Sequence, residues 1–201
     1  SKASPTIVTE VHNPSHVDVT GGSVSLGTVV HDSATVGPQV NGFVIGGTVT
    51  YNFYTNGACT GSPSSTETVA VGTESSSTAA LAAGAYGYNV HYSGDDNYVS
   101  STSSCEPFTV NKASTTTSTE VHDPSHGDIT SSSVPLGTAV HDSASVGGQV
   151  GSFSITGTVT YHFYSGGSCS GSPADETVPV GSESAPKNLG ADSYSYRVDY
   201  S

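Results

Sequence analysis

The sequence has no tryptophan and no methionine, and only 4 of its 201 residues are lysine or arginine. Set against 17 Asp and Glu, that scarcity leaves a net charge of −13. Such a chain repels phosphate backbones and anionic headgroups, which argues against nucleic acid and acidic membrane surfaces as partners. No apolar run approaches the roughly 18 residues of a membrane-spanning helix, so no membrane insertion is expected within this chain. The start does not read as a signal peptide, and the chain is expected to be an internal piece of a longer polypeptide. No window carries a convincing helical period. There is no HExxH helix, no GxSxG elbow and no cofactor-binding loop. No catalytic residue and no cofactor are therefore expected, and the chain does not read as an enzyme.

What is present is largely Ser, Thr and Gly, with 11 Tyr, 5 Phe and many Val to build a thin core. It is also a repeat. Gly47 to Pro63, GTVTYNFYTNGACTGSP, returns as Gly157 to Pro173, GTVTYHFYSGGSCSGSP, with 12 of 17 positions the same. Self-similarity of this kind has to be read before anything else. Glu10-Val11-His12 returns as Glu120-Val121-His122, and His31-Asp32-Ser33-Ala34 as His141-Asp142-Ser143-Ala144. The end, Tyr194 to Ser201, matches Tyr86 to Ser93. Nothing in the second copy matches Gly94 to Val110. Two domains are expected, 1–111 and 112–201, the second incomplete and without its last strand.

Each repeat reads as about seven short strands, bounded by Gly, Pro, Asn and Ser. In the first copy they fall near Thr6–His12, Thr28–Val36, Thr48–Tyr54, Glu67–Val71, Ser77–Leu81, Ala85–Tyr92 and Pro107–Val110. Large residues alternate at Tyr86, Tyr88, Val90 and Tyr92, and side chains two apart share a strand face. The second copy keeps that face as Tyr194, Tyr196, Val198 and Tyr200. The other face drifts: Asn89 becomes Arg197, and His91 becomes Asp199. One held face and one drifting face describe a half-buried antiparallel sheet. The expected fold is all-β, two tandem two-sheet sandwiches.

The run LAAGAY (81–86), followed by YSGDDNY (92–98), resembles bacterial Ig-like domain repeats, in the group with a YSGDxNY-type turn. The HDSAxV segment and GTVTYxFY resemble the same family. The resemblance spans nearly all of the first copy and the second up to its end. It implies tandem immunoglobulin-like sandwiches in extracellular or cell-surface proteins, as stalks, adhesins or fibres. Fold alone does not supply a function.

Five groups of residues are candidates for chemistry. Cys59 follows the third strand and Cys105 precedes the last, segments that a sandwich can bring together, so a Cys59–Cys105 disulfide is expected. Cys169 copies Cys59, and its partner is expected beyond the chain end. His12, His16 and Asp18 recur as His122, His126 and Asp128, a composition that suits zinc or copper. On a strand, however, positions i and i+4 lie some 13 Å apart. Unless Pro14 or Pro124 bends the chain, the segment reads as a solvated strand-to-loop stretch, and no metal site is assigned there. His31-Asp32 and His141-Asp142 lack a nucleophile and oxyanion hole; Asp32 is expected to be partly buried, with backbone N–H partners. Asp95, Asp96 and Asn97 form an acidic turn, with calcium as the alternative to a simple turn. Ser/Thr clusters such as Ser114–Thr119 offer hydroxyls for O-linked sugars, and no N-x-[ST] sequon exists.

The leading expectation is a non-catalytic structural module of an extracellular stalk, fibre or adhesin, with neighbouring repeats of the same polypeptide as its partners. One alternative is a glycan- or host-surface-binding module, with Tyr54 and Tyr164 as exposed contacts. The other is a self-associating filament subunit, whose second repeat is completed by a strand from another chain.

Overall fold

The computed structural model describes residues 1–201. The chain is all-β. No helix is long and apolar enough to cross a membrane. Two compact units divide it, Ser1–Ala113 (unit 1) and Ser114–Ser201 (unit 2).

Unit 1 begins with β1 (Thr6–His12), β2 (Ser23–Val24), β3 (His31–Gly37) and β4 (Thr48–Tyr54). It continues with β5 (Ser65–Ala70), β6 (Gly84–Tyr92), β7 (Ser101–Thr102) and β8 (Glu106–Val110). β1 and β3 form one antiparallel sheet. The second sheet runs β2-β8-β6-β4-β5, with β7 also on β6. Only β2 and β8 are parallel.

The two sheets bury their facing side chains against each other. Val11 of β1 and Val30 beside β3 meet Phe53, Tyr86, Tyr88, Phe108 and Val110 of the larger sheet. A second cluster gathers Ala34, Ile45, Val49, Tyr51, Val90, Tyr92 and Tyr98. The period-two face of β6 is the buried one: Tyr86, Tyr88, Val90 and Tyr92 are all interior. Asn89 and His91 sit on the other side, half-buried and exposed.

Six of the seven expected strands of the first repeat are present within a few residues. The second expected strand starts three residues later than expected, at His31. The segment expected as a strand over Ser77–Leu81 is not one. It still follows β3 by donating Thr78 N–H to the Val30 carbonyl at 2.8 Å and Leu81 N–H to the Thr28 carbonyl at 3.2 Å. These bonds are too few and too widely spaced to make a ladder.

Unit 2 contains β9 (Thr116–His122), β10 (Ala139–Gly147), β11 (Thr158–Ser165), β12 (Ala174–Pro179), β13 (Lys187–Asn188) and β14 (Tyr194–Tyr200). Its sheets are β13-β10-β9 and β12-β11-β14. The β9/β10 register repeats that of β1/β3: His122 lies opposite His141, as His12 lies opposite His31.

Candidate metal centre

The histidines that drew attention in the sequence come together, by a route that strand geometry alone did not suggest. His12 ends β1. The chain then reverses in a tight turn held by one side chain. Asn13 Oδ1 accepts from Ser15 N–H at 2.9 Å and Val17 N–H at 3.1 Å. Backbone bonds from His16 N–H to the Asn13 carbonyl and from Asn13 N–H to the Val17 carbonyl close it. His16 takes a left-handed φ of 54° at the tip. Unit 2 builds the same turn with Asp123 in place of Asn13, and His126 at φ 59°. The His12 and His16 ring centroids are therefore 5.9 Å apart, not the roughly 13 Å of an extended strand.

Two further residues complete the group, and neither was assigned to it from sequence. His31 opens β3 directly opposite His12, and cross-strand neighbours of this kind touch. Glu74 arrives from the segment that leaves β5. That segment is pinned on three sides. Ser75 N–H donates to the Asp32 carbonyl at 2.9 Å, and Asp32 N–H donates to Ser75 Oγ at 2.8 Å. Tyr51 Oη donates to the Thr73 carbonyl at 2.8 Å, and Glu67 accepts from Ser76. Unit 2 repeats this pinning through Ser184, Tyr161 and Glu176, and so places Glu183.

One ligand-type atom from each of His12, His16, His31 and Glu74 lies within 4.8 Å of every other, and the same holds for His122, His126, His141 and Glu183. In unit 1, His31 Nε2 is 3.3 Å from His16 Nδ1 and 3.4 Å from a Glu74 oxygen. His16 Nδ1 is 3.9 Å from the other Glu74 oxygen. In unit 2 the corresponding distances are 3.4, 3.3 and 3.4 Å. The fourth donor, the third imidazole of each cluster, is distinctive. His12 Nδ1 and His122 Nδ1 are buried and have no hydrogen-bond partner. Their opposite nitrogens face Glu10 at 3.2 Å and Glu120 at 3.5 Å. Burial, the largest cause, holds the His31 imidazole below the usual histidine range, against the pull of Glu74 in the other direction. A neutral imidazole is a lone-pair donor, so this environment favours the ligating form.

The other sequence candidates are placed differently. Asp18 and Asp128 stand outside the cluster; each accepts from the backbone N–H two residues on, Thr20 or Thr130, at 2.8 Å. That bond is the main cause holding Asp18 below the ordinary carboxylate range. Asp95 uses both oxygens on the backbone, accepting from Gly46 N–H at 2.7 Å and from Asn97 and Tyr98 N–H at 2.7 and 2.8 Å. The Asp95-Asp96-Asn97 stretch is thus organised as a turn clamp rather than an oxygen cage for calcium. Tyr54 and Tyr164, expected to be exposed, are buried at 7% and 4% exposure. The reason is local: the Asn56–Cys59 loop folds back over that sheet face, beside Gly87, which lies directly opposite Tyr54.

Cys59 and Cys105 are disulfide-bonded, with Cα atoms 5.7 Å apart. Cys169 is a free thiol. Asp32 is fully buried, where only partial burial was expected, and it lacks the expected backbone partners: neither carboxylate oxygen accepts a hydrogen bond. Burial first, and then the neighbouring Glu106 carboxylate, push Asp32 well above the carboxylate range.

No protein-family model matches the chain, and no curated protein matches it either.

Proposed function

We propose that the chain supplies two non-catalytic, immunoglobulin-like modules of an extracellular or cell-surface stalk, fibre or adhesin. The observation that carries this reading is how the two copies divide their constraints. Val49, Tyr51 and Phe53 recur as Val159, Tyr161 and Phe163 on the inward face of β4 and β11. Outward positions of the same sheets change, Asn52 to His162 and His91 to Asp199. A catalytic or recognition surface on these sheet faces would hold such outward residues, whereas a spacer needs only its core; positions that are exposed and held occur instead in the histidine–glutamate clusters. The Cys59–Cys105 bridge supports an oxidising compartment. Neighbouring Ig-like repeats of the same polypeptide are then the natural partners. Burial of Tyr54 and Tyr164 removes the aromatic contacts on which a glycan- or host-binding reading rested. Immunogold labelling of intact source cells with antibody to this chain should decorate surface appendages. Label confined to the cytoplasm would reject the proposal.

A second reading, a polymerising filament subunit, has one observation in its favour. β6 is hydrogen-bonded on both sides, by β4 and β8, whereas β14 is bonded only by β11. An open edge is a template for a strand from another chain. Electron microscopy of the purified chain at rising concentration separates the two: filaments favour the second reading, and a persistent monomer rejects it.

A further inference from the structure

We propose that each unit binds one divalent transition ion of the zinc type, through His12, His16, His31 and Glu74 in unit 1 and through His122, His126, His141 and Glu183 in unit 2. This goes beyond the spacer reading and does not depend on it.

The donor spacing is the first argument. A tetrahedral zinc ion, with Zn–N near 2.0–2.1 Å, sets its donor atoms roughly 3.3–3.4 Å apart. The three pairs among His16, His31 and Glu74 span 3.3 to 3.9 Å, and the three among His126, His141 and Glu183 span 3.3 to 3.4 Å. A hydrogen bond or ion pair accounts for any one of these contacts, but three side chains whose donor atoms all approach one another this closely also outline the shell of a single ion.

The orphaned nitrogens are the second. A buried polar atom without a partner costs free energy, and such atoms call for an explanation. His12 Nδ1 and His122 Nδ1 are both left without one, each in a ring that belongs to a cluster. A cation at the centre of each cluster would satisfy both. The far nitrogen of each ring meets a carboxylate, Glu10 or Glu120. A carboxylate behind a ligating histidine fixes its tautomer and ring orientation in metal sites.

The repeat is the third. The chain has eight histidines, and six of them are the cluster positions, held in both copies. The two outside it are not held: His91 stands opposite Asp199 in the alignment, and His162 opposite Asn52. Glu74 and Glu183 are held too, at the same place in a segment whose neighbours change from GTESSS to GSESAP.

The donor chemistry selects the ion. Three imidazoles and one carboxylate are too rich in nitrogen for calcium or magnesium, which take oxygen shells. Four protein donors fill a tetrahedron, which is the pattern of a structural rather than a catalytic zinc. The ion would join the ends of β1 and β3 to the segment that leaves β5, and so clip one sheet of unit 1 to a connection from the other.

The test is zinc titration of the full, tag-free chain by isothermal calorimetry, with Cys169→Ser as the background so that the free thiol does not contribute. Two zinc ions should bind per chain. His16→Asn and His126→Asn should each leave one, and the pair together none. These side chains are largely exposed, and Asn accepts a left-handed backbone, so the fold should survive. Circular dichroism in chelator checks it, and Glu74→Gln with Glu183→Gln is the second pair of variants if it does not. A His91→Asn, His162→Asn double variant should still bind two. Zinc binding that persists after both cluster substitutions, that is absent from the parent chain, or that an equal concentration of calcium displaces overturns the proposal. One bound ion in the parent overturns it for whichever unit's substitution leaves that ion in place.

Discussion

Units 1 and 2 share most of a sequence and differ at one end of the sandwich. In unit 1, β8 bonds to β6 and brings Glu106, Phe108 and Val110 into the interior. In unit 2, β14 has no such neighbour, and Tyr194, Tyr196 and Tyr200 are only half-buried where Tyr86, Tyr88 and Tyr92 are buried. The interior aspartate changes its company accordingly. Asp32 faces Glu106, whereas Asp142 accepts a hydrogen bond from the Thr119 hydroxyl. The surface changes as well. In unit 1 the disulfide packs over Gly87, so closely that a Cβ there would lie 2.9 Å from Cys59 Sγ. In unit 2 Ser195 takes that position. Its hydroxyl donates to the Gly166 carbonyl at 2.6 Å and accepts from Cys169 N–H at 2.9 Å. A bridge from Cys169 built like that of Cys59 would first have to displace Ser195. Yet the histidine–glutamate cluster is nearly the same in both units. The two ends of the sandwich are specified separately, and the cluster end does not depend on β8 or on the disulfide.

The interior carboxylates give the largest expected difference. Burial raises Asp142 to about 6. Burial and Glu106 push Asp32 higher still, and burial raises Glu106 itself. A carboxyl raised in the folded state contributes stability that is fully present below its unfolded value, near pH 4. That contribution is lost as pH rises through the folded value. With a chelator present, unit 2 should therefore lose about 3 kcal/mol between pH 4 and pH 6 and then level off, since one pKa unit is worth ~1.4 kcal/mol. Unit 1 should go on losing stability above pH 6. Urea titrations of the full chain, followed by NMR resonances assigned to each unit, would show the divergence. Glu106→Gln should make the unit 1 curve level off sooner; parallel curves in the parent would mean that the two aspartates do not differ.

Removing the disulfide should come next in size. A bridge that closes 46 residues is worth roughly 2–4 kcal/mol. Cys59→Ala with Cys105→Ala should lower the unfolding free energy of unit 1 by that much, read from its urea transition, and leave unit 2 where it was. Loss in both units would show that their stabilities are coupled, and that the comparison between them cannot be made residue by residue.

The fold was largely legible because its signal is local. Alternation in Tyr86-Gly87-Tyr88-Asn89-Val90-His91-Tyr92 declares a buried face without knowledge of any partner strand. The Cys59–Cys105 pairing was legible because both cysteines flank strands that alternation had already placed. The cluster was only half legible. His12 and His16 were visible as a pair, but the Asn13 turn that folds one onto the other is a side-chain device, not a periodicity. His31 depends on register, and Glu74 on a segment pinned by Asp32 and Tyr51, which are far from it in sequence. The available signal was the repeat itself, in which these positions hold while exposed neighbours drift. The burial of Tyr54 has a related cause. Alternation assigns its face correctly and says nothing of a loop that returns to cover that face.

The smallest effect tests the feature the two units share. Glu10 and Glu120 do not belong to the four-residue clusters; each meets only the outer nitrogen of a histidine whose inner nitrogen has no hydrogen bond. Both carboxylates are mostly exposed, so as surface ion pairs they would contribute little to stability. If instead each orients a ligating imidazole, Glu10→Gln should weaken zinc in unit 1 by roughly 10–100-fold, and Glu120→Gln should do the same in unit 2. The stoichiometry should stay at two, and the urea midpoints in chelator should barely move. That combination separates a positioning role from a structural one, because a purely structural pair would shift the chelated midpoint and leave the affinity alone. The distance from carboxylate to ring is 3.2 Å in unit 1 and 3.5 Å in unit 2, so the larger loss of affinity belongs to Glu10→Gln.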